Sequence, residues 1–432
     1  MNKGICKFFK LFLLIFLFVS PYQLQADEKG YELEEVVVLS RHNIRSPLSS
    51  KGSILDTATP HEWYDWSSNA SELSLQGGIL ETAMGQYFRK WLEQEGLIEE
   101  NFRPEDDSEI RFYSNAKQRT IATSNYFASG FLPVGDIDII TKVEYNTMDP
   151  TFTPQITFAN DQYKEDAQKA IIDAIPDLSK EYELLMDVLD YRDSEGYKDG
   201  SLSDLVNGDN EAIIEVNAEP GLTGSLKNGC SLADALVLQY YEEEDDTKAA
   251  FGHELTFEDW QAISRIKDVY GDVLFTSPLV SVNVAHPLLQ EIRSELSEKG
   301  RKFSFLCGHD SNIGSVLAAL EADDYKLEDA VEAKTPIGCK FVIEKLKKNN
   351  EEFVRLSLCY NSVDQLRHIS LLSEDNPPKF CQLKVRGLET NEDGLYRYED
   401  FMKQLDKSIA AYDELISKYE PSQAQLPKTG IE

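Results

Sequence analysis

Val36-Val37-Val38-Leu39-Ser40-Arg41-His42-Asn43-Ile44-Arg45-Ser46-Pro47 is the stretch on which the fold turns. Its apolar, β-branched start predicts a strand buried on both faces, the kind found in the sheet of an α/β protein. The strand runs straight into two arginines, a histidine and a proline. In open α/β sheets ligands bind beyond the carboxyl ends of the strands, so a cationic loop there points to an anion site. A solvated basic turn is the competing reading of this stretch alone.

The same arrangement recurs further along. Ile110-Arg111-Phe112-Tyr113-Ser114 alternates as a strand and leads into a helix ending near Gly130, with Ser114 or Asn115 as N-cap and Arg119 in or just after the first turn. Phe303 to Cys307 reads as a strand, Gly308 to Asn312 as a tight turn holding His309 and Asp310, and Ile313 to Leu320 as an apolar helix. Three strand-to-helix junctions therefore carry Arg41, His42 and Arg45, then Arg119, then His309 and Asp310. Fold rules allow all three to meet at one edge of a sheet.

Around them the spacing predicts a helix over Leu73 to Gly96, with Leu75, Ile79, Met84, Tyr87, Phe88, Trp91 and Leu92 as one apolar face and Gly96 as C-cap. Ile337 to Glu344 and Phe353 to Tyr360 form a hairpin, and Ser408 to Tyr419 a closing helix. Between about 149 and 270 strand patterns thin out and helical ones dominate, broken by the loop Glu219-Pro220-Gly221-Leu222-Thr223-Gly224. This block reads as a helical cap inserted into an α/β domain. The divisions are 1–26 signal peptide, 27–148 and 271–420 the two parts of the α/β domain, 149–270 the cap, and 421–432 a tail.

Lys3, Lys7 and Lys10, the apolar run Leu11 to Val19 and Leu24-Gln25-Ala26 have the form of an export signal, too short in its apolar part to anchor in a bilayer. Removing it takes three lysines and no acid, moving the net charge from −33 to −36. That balance excludes nucleic acid as a partner. A small anionic substrate is compatible with it only if a few cations are gathered locally. Leu426-Pro427-Lys428-Thr429-Gly430 has the form of a sortase pentapeptide, but only Ile431 and Glu432 follow. It is read as a wall anchor lacking its tail, against a chance match. The expectation is an exported chain, periplasmic, extracellular or wall-attached. Cys230, Cys307, Cys339, Cys359 and Cys381 contain no CxxC pair, which favours buried small hydrophobes over metal ligands and leaves one Cys339–Cys359 disulfide open.

The junction residues suit phosphoryl transfer. Phosphate monoesters are among the slowest of all biological bonds to hydrolyse unaided, and their dianion must be held and its charge spread over fixed donors. Arginine binds phosphate in bidentate fashion and stays charged. A neutral imidazole can attack phosphorus, and a carboxylic acid can protonate the leaving oxygen.

With these residues in place, the chain resembles the histidine acid phosphatases, branch 2 of the histidine phosphatase superfamily. That family carries RHGxRxP early and HD late. Here these read Arg41-His42-Asn43-Ile44-Arg45-Ser46-Pro47 and His309-Asp310. Within the family the resemblance is strongest to bacterial periplasmic glucose-1-phosphatases, through RHNIRSPLSSKGSILDTATP, YSNAKQRTIATSNYFASGF, LVLQYYE, GHDSNI and TPIG, in order along nearly the whole chain. The resemblance implies a phosphoglycerate-mutase-like α/β domain, a central sheet flanked by helices, with an inserted helical cap and neither cofactor nor metal. It implies His42 as nucleophile, Asp310 as proton donor, and Arg41, Arg45, Arg119 and His309 as phosphate ligands. Glu219 would close the substrate pocket.

Asn43 departs from the usual glycine, and cysteines that pair in similar enzymes are missing from Ser194–Ser203 and Gly387–Tyr396. The expected activity is hydrolysis of sugar phosphomonoesters, glucose 1-phosphate first. A phytase acting on inositol hexakisphosphate and a non-catalytic surface protein binding phosphorylated ligands are the alternatives. Because the ordinary aspartate pKa is about 3.9, Asp310 as a general acid requires a raised pKa or a low working pH, hence an acid optimum.

Overall fold

The computed structural model describes residues 30–48, 53–104 and 108–420. The export segment and the LPKTG stretch lie outside them. In chain order the elements are β1 (Glu32–Arg41), α1 (Ile54–Thr57), α2 (Leu75–Gln94), β2 (Ile110–Ser114), α3 (Gln118–Phe131) and β3 (Ile139–Ile140). Next come α4 (Asp161–Asp173), α5 (Ser179–Val188), α6 (Glu195–Lys198), the hairpin of β4 (Asn210–Ile213) and β5 (Gly221–Gly224), α7 (Ser225–Glu242), α8 (Asp246–Ala249) and α9 (Phe257–Gly271). A π-helical stretch at Asp272–Thr276 joins α9 to α10 (Pro278–Glu295). The chain closes with β6 (Phe303–Gly308), α11 (Asp310–Ala319), β7 (Lys340–Lys348), β8 (Glu351–Tyr360), α12 (Val363–Arg367), β9 (Lys379–Gln382), β10 (Tyr396–Arg397) and α13 (Tyr398–Tyr419).

One mixed sheet runs β10-β8-β7-β1-β6-β2-β3, with β9 also paired to β8. β1, β6, β2 and β3 are parallel, while β7 and β8 run antiparallel beside β1. Side chains of a strand alternate between faces. On β1, Val36 and Val38 join Phe303 and Phe305 on one face, and Val37 and Leu39 join Leu306 and Ile313 on the other. Both faces are covered, which explains the unbroken apolar run. The register then decides where the chemistry sits: Arg41 lies opposite Gly308, and Ser114 opposite Cys307. All three strands end level.

Helices α2 and α3 press together because glycines let their backbones touch. A Cβ at Gly85 would lie 2.2 Å from Phe127 O, and one at Gly130 2.1 Å from Thr82 O. The hairpin turns through Asn349 and Asn350, both at positive φ, as a two-residue turn between right-twisted strands requires. The helical block shares its core with the sheet portion: Ile44, Leu80 and Ile337 pack in one cluster with Leu226, Leu236 and Trp260.

Several local expectations need correction. On α2, Leu75 and Ile79 are exposed, and the buried stripe runs through Gly77, Leu80, Glu81, Met84, Gly85 and Phe88 instead. Helix α3 starts at Gln118 behind Lys117, because the Asn115 side chain is spent on Ala116 N and His309 rather than on capping. Residues 221–224 form a strand, and α11 begins at Asp310 itself. The closing helix starts ten residues earlier than its pattern suggests, at Tyr398. Cys339 and Cys359 are free, because they face opposite sides of the sheet and belong to different core clusters.

Candidate active site

The level strand ends place His42, Asn115 and His309 side by side. Backbone bonds fix them: His42 N donates to Gly308 O at 3.0 Å, Arg41 N to Cys339 O at 2.9 Å and Asn115 N to Cys307 O at 2.9 Å. The His42 ring is buried, with Nδ1 2.9 Å from Asn43 O. A carbonyl only accepts, so Nδ1 carries the proton and Nε2 keeps its lone pair. Burial first, then the charges of Arg119, Arg45 and Arg41, hold the imidazole well below its ordinary pKa. It stays neutral and nucleophilic at acid pH.

His309 stands 5.5 Å from His42 between ring centroids. Asn115 Nδ2 donates to its Nε2 at 2.7 Å, with the amide orientation set by Ala116 N donating to Asn115 Oδ1. Its Nδ1 faces the Arg119 guanidinium at 3.4 Å, so both ring nitrogens lie against donors. Burial and Arg119 hold His309 neutral as well.

Arg41 NH1 bonds Glu332 Oε1 at 3.3 Å and also Thr335 O, while its NH2 lies 3.5 Å from Asp310 Oδ2. Arg45 NH2 donates to Asp234 Oδ2 at 2.9 Å. Arg119, in the first turn of α3, is lowered to about 10 by burial and by Arg45, and remains charged at neutral pH. The buried Nε atoms of Arg41, Arg45 and Arg119 have no hydrogen-bond partner among the described residues. Unspent donors on three arginines are what a phosphoryl group requires.

Asp310 opens α11, accepting from Ser311 N at 2.9 Å. Loss of water around it favours the neutral acid, but the charges of Arg41, Lys267 and Arg45 outweigh that and hold it well below the ordinary carboxylate range. In the free protein the carboxyl is thus depressed, so Asp310 as general acid depends on a proton gained with bound substrate or on a low working pH. Glu219 is exposed, just before β5. Partial desolvation raises its carboxyl, Arg119 pulls it down and Asp310 pushes it up, for a net rise.

The sequence reading missed a ring of charges behind the arginines. Lys267 Nζ lies 3.8 Å from Asp234, 3.9 Å from Asp310 and 3.7 Å from Glu332. Glu332 also accepts from Ile337 N at 3.1 Å and from the Tyr241 hydroxyl. Asp234 was findable, as a lone acid in the apolar run Leu232–Leu236 of α7 that burial obliges to find a cation. Nothing in the local sequence marks Lys267 or Glu332. Of the remaining histidines, His61 pairs with Asp190 and His286 stacks on Tyr412, both away from the junctions. Among the described residues no group of three or more His, Cys, Asp or Glu could hold a metal ion.

Residues 32–359 match the family model of the histidine phosphatase superfamily, branch 2. A protein of Providencia rettgeri named glucose-1-phosphatase is 37% identical over 404 residues, covering 91% of this chain and 96% of that one. A glucose-1-phosphatase of Salmonella typhimurium is 36% identical over 392 residues, covering 89% and 94%. In three dimensions the phytase of Citrobacter braakii superposes with a TM-score of 0.80 at 24% identity, covering 88% of this chain and 98% of that one.

Proposed function

The chain belongs to branch 2 of the histidine phosphatase superfamily and is a phosphatase, and we propose that it hydrolyses sugar phosphomonoesters, glucose 1-phosphate first, through a phosphohistidine. The observation that carries this reading is the His42 ring, neutral, its Nδ1 proton fixed on Asn43 O and its Nε2 lone pair free among three arginines. Nε2 attacks phosphorus as the P–O bond to the sugar breaks, and Asp310 passes a proton to the leaving oxygen. In the second half Asp310 takes a proton from water, whose oxygen attacks phosphorus and breaks the P–N bond. Inorganic phosphate leaves and His42 returns neutral. Arg41, Arg45, Arg119 and His309 hold the phosphoryl oxygens throughout.

The choice of sugar follows the two relatives named glucose-1-phosphatase at 36–37% identity. Glu219 supports it, because an extra carboxylate at the pocket disfavours a highly anionic inositol phosphate. Export through residues 1–26, wall attachment through LPKTG and cap closure through 149–270 belong to the same proposal. No helix among the described residues is long and apolar enough to cross a membrane.

The likeness in fold to a phytase makes inositol hexakisphosphate the rival substrate. Phosphate release from purified protein over a substrate panel tests the choice. Higher kcat/KM for glucose 1-phosphate is expected, and a clear preference for inositol hexakisphosphate overturns it.

A further inference from the structure

A fully buried ion pair stands behind the nucleophile. Glu81 of α2 and Lys340 of β7 are both 0% exposed, with Nζ 2.6 Å from Glu81 Oε1. Such a pair forfeits the hydration of two charges, and replacing both members by apolar groups is often neutral or stabilising. Its contacts lead to the active-site loop. Asn43 Nδ2 donates to Glu81 Oε2 at 2.7 Å. Lys340 Nζ donates to Gly338 O at 2.9 Å. Gly338 N in turn donates to His42 O at 3.1 Å, and His42 Nδ1 to Asn43 O at 2.9 Å. The contacts close into a circuit: His42, Asn43, Glu81, Lys340, Gly338 and back to His42.

Two features mark the circuit as built around the Asn43 side chain. A Cβ on Gly338, which sits at φ +68°, would lie 2.5 Å from Asn43 Nδ2. The amide oxygen is used too, accepting from Ile44 N at 2.8 Å. A glycine at position 43 would have nothing to offer Glu81.

We propose that Glu81 and Lys340, acting through Asn43, are positioning residues that lock the carbonyl which fixes the His42 tautomer. They touch neither substrate nor the reacting atoms. The carbonyl of Asn43 must face Nδ1 for the lone pair to stay on Nε2. A tethered side chain holds that peptide plane where a bare glycine would let it turn. The inference rests on His42 being the nucleophile.

Two variants of the full chain test it: Asn43→Gly, and the double variant Glu81→Gln with Lys340→Met. Rapid-quench phosphorylation of His42, KM and thermal melting are measured for each. The expected result is a folded protein with KM within about threefold of wild type and phosphorylation slowed about 10- to 100-fold, as for a misplaced reacting group. A role in stability alone would lower the melting temperature and leave the rate per folded molecule unchanged, and that result overturns the proposal. Should the double variant fail to fold, Asn43→Gly decides by the same criterion, since it leaves the ion pair in place. Absence of label on wild-type His42 would overturn the nucleophile assignment itself, and this inference with it.

Discussion

Asp310 carries the most testable chemistry at the scale of one residue. Its carboxyl is held well below the ordinary range by the charges of Arg41, Lys267 and Arg45. The free enzyme therefore presents a carboxylate throughout the acid to neutral range. A phosphoryl group brings about −1.5 to −2 charges at pH 7 and a second pKa near 6. Bound, it competes with Asp310 for the same arginines, so the proton enters with the substrate monoanion or moves to Asp310 on binding. In both cases kcat/KM falls as pH rises above about 6. Asp310→Asn is expected to lower kcat/KM for glucose 1-phosphate, which reports the steps through phosphoryl transfer to His42, by about 10²–10⁴-fold. It should lower kcat/KM much less for p-nitrophenyl phosphate, whose leaving group needs no proton. Equal losses on both substrates, or an alkaline optimum, would contradict the role. At this scale the six junction residues were readable as candidates because each junction motif ends a strand, whereas Glu219 was implied only by the family resemblance. Lys267 and Glu332 were not readable, because only the tertiary fold brings a mid-helix lysine and a loop glutamate to Arg41.

Among the elements, β1 joins two opposite features. Its carboxyl end delivers the nucleophile. Near its start the pairing with β7 shifts register between Leu33 and Glu35, and this exchanges the faces. Leu33 thus shares a cluster with Val36 and Val38, and Glu35 is turned inward and buried. Burial raises its pKa from 4.5 to about 8, Lys345 opposing and Glu295 assisting. Because the folded value lies above the unfolded one, the stability linked to the bound proton is full below about 4.5. It is lost as pH climbs through about 8. Glu35→Gln mimics the protonated form, so its melting temperature should match wild type near pH 5 and exceed it increasingly towards pH 8. A gap that does not change with pH would refute the inward carboxyl. The run Val36–Leu39 announced β1 clearly in the sequence. The register shift did not, since it depends on which strand lies alongside. The β4–β5 hairpin was missed for a similar reason: four residues starting and ending in glycine carry almost no strand pattern.

For the whole molecule, charge is the dominant property. The sequence carries a net −33, yet its substrate is an anion. Arg41, Arg45, Arg119 and Lys267 form the local exception, and three of these four cations already face Asp234, Asp310 or Glu332. Little positive field is left to reach beyond the pocket, so approaching phosphate meets a repulsive surround. Raising NaCl from about 10 mM to about 100 mM shortens the screening length from about 30 Å to about 10 Å and should raise kcat/KM at fixed pH. A steady fall with salt would show that the cations, and not the surround, govern the encounter. The architecture, an α/β sheet with helices inserted between its two halves, was readable from the order of patterns. The shared core of the helical block and the sheet was not, because it joins residues as distant as Ile44 and Trp260.

The central claim is that His42 takes the phosphoryl group. Its most direct measurement is acid-quenched reaction with ³²P-labelled glucose 1-phosphate, followed by mapping of the label. The account predicts one acid-labile phosphohistidine at His42, formed and lost at rates compatible with turnover and absent from a folded His42→Ala variant that no longer hydrolyses substrate. Label at another residue, or undiminished hydrolysis by His42→Ala, would contradict it.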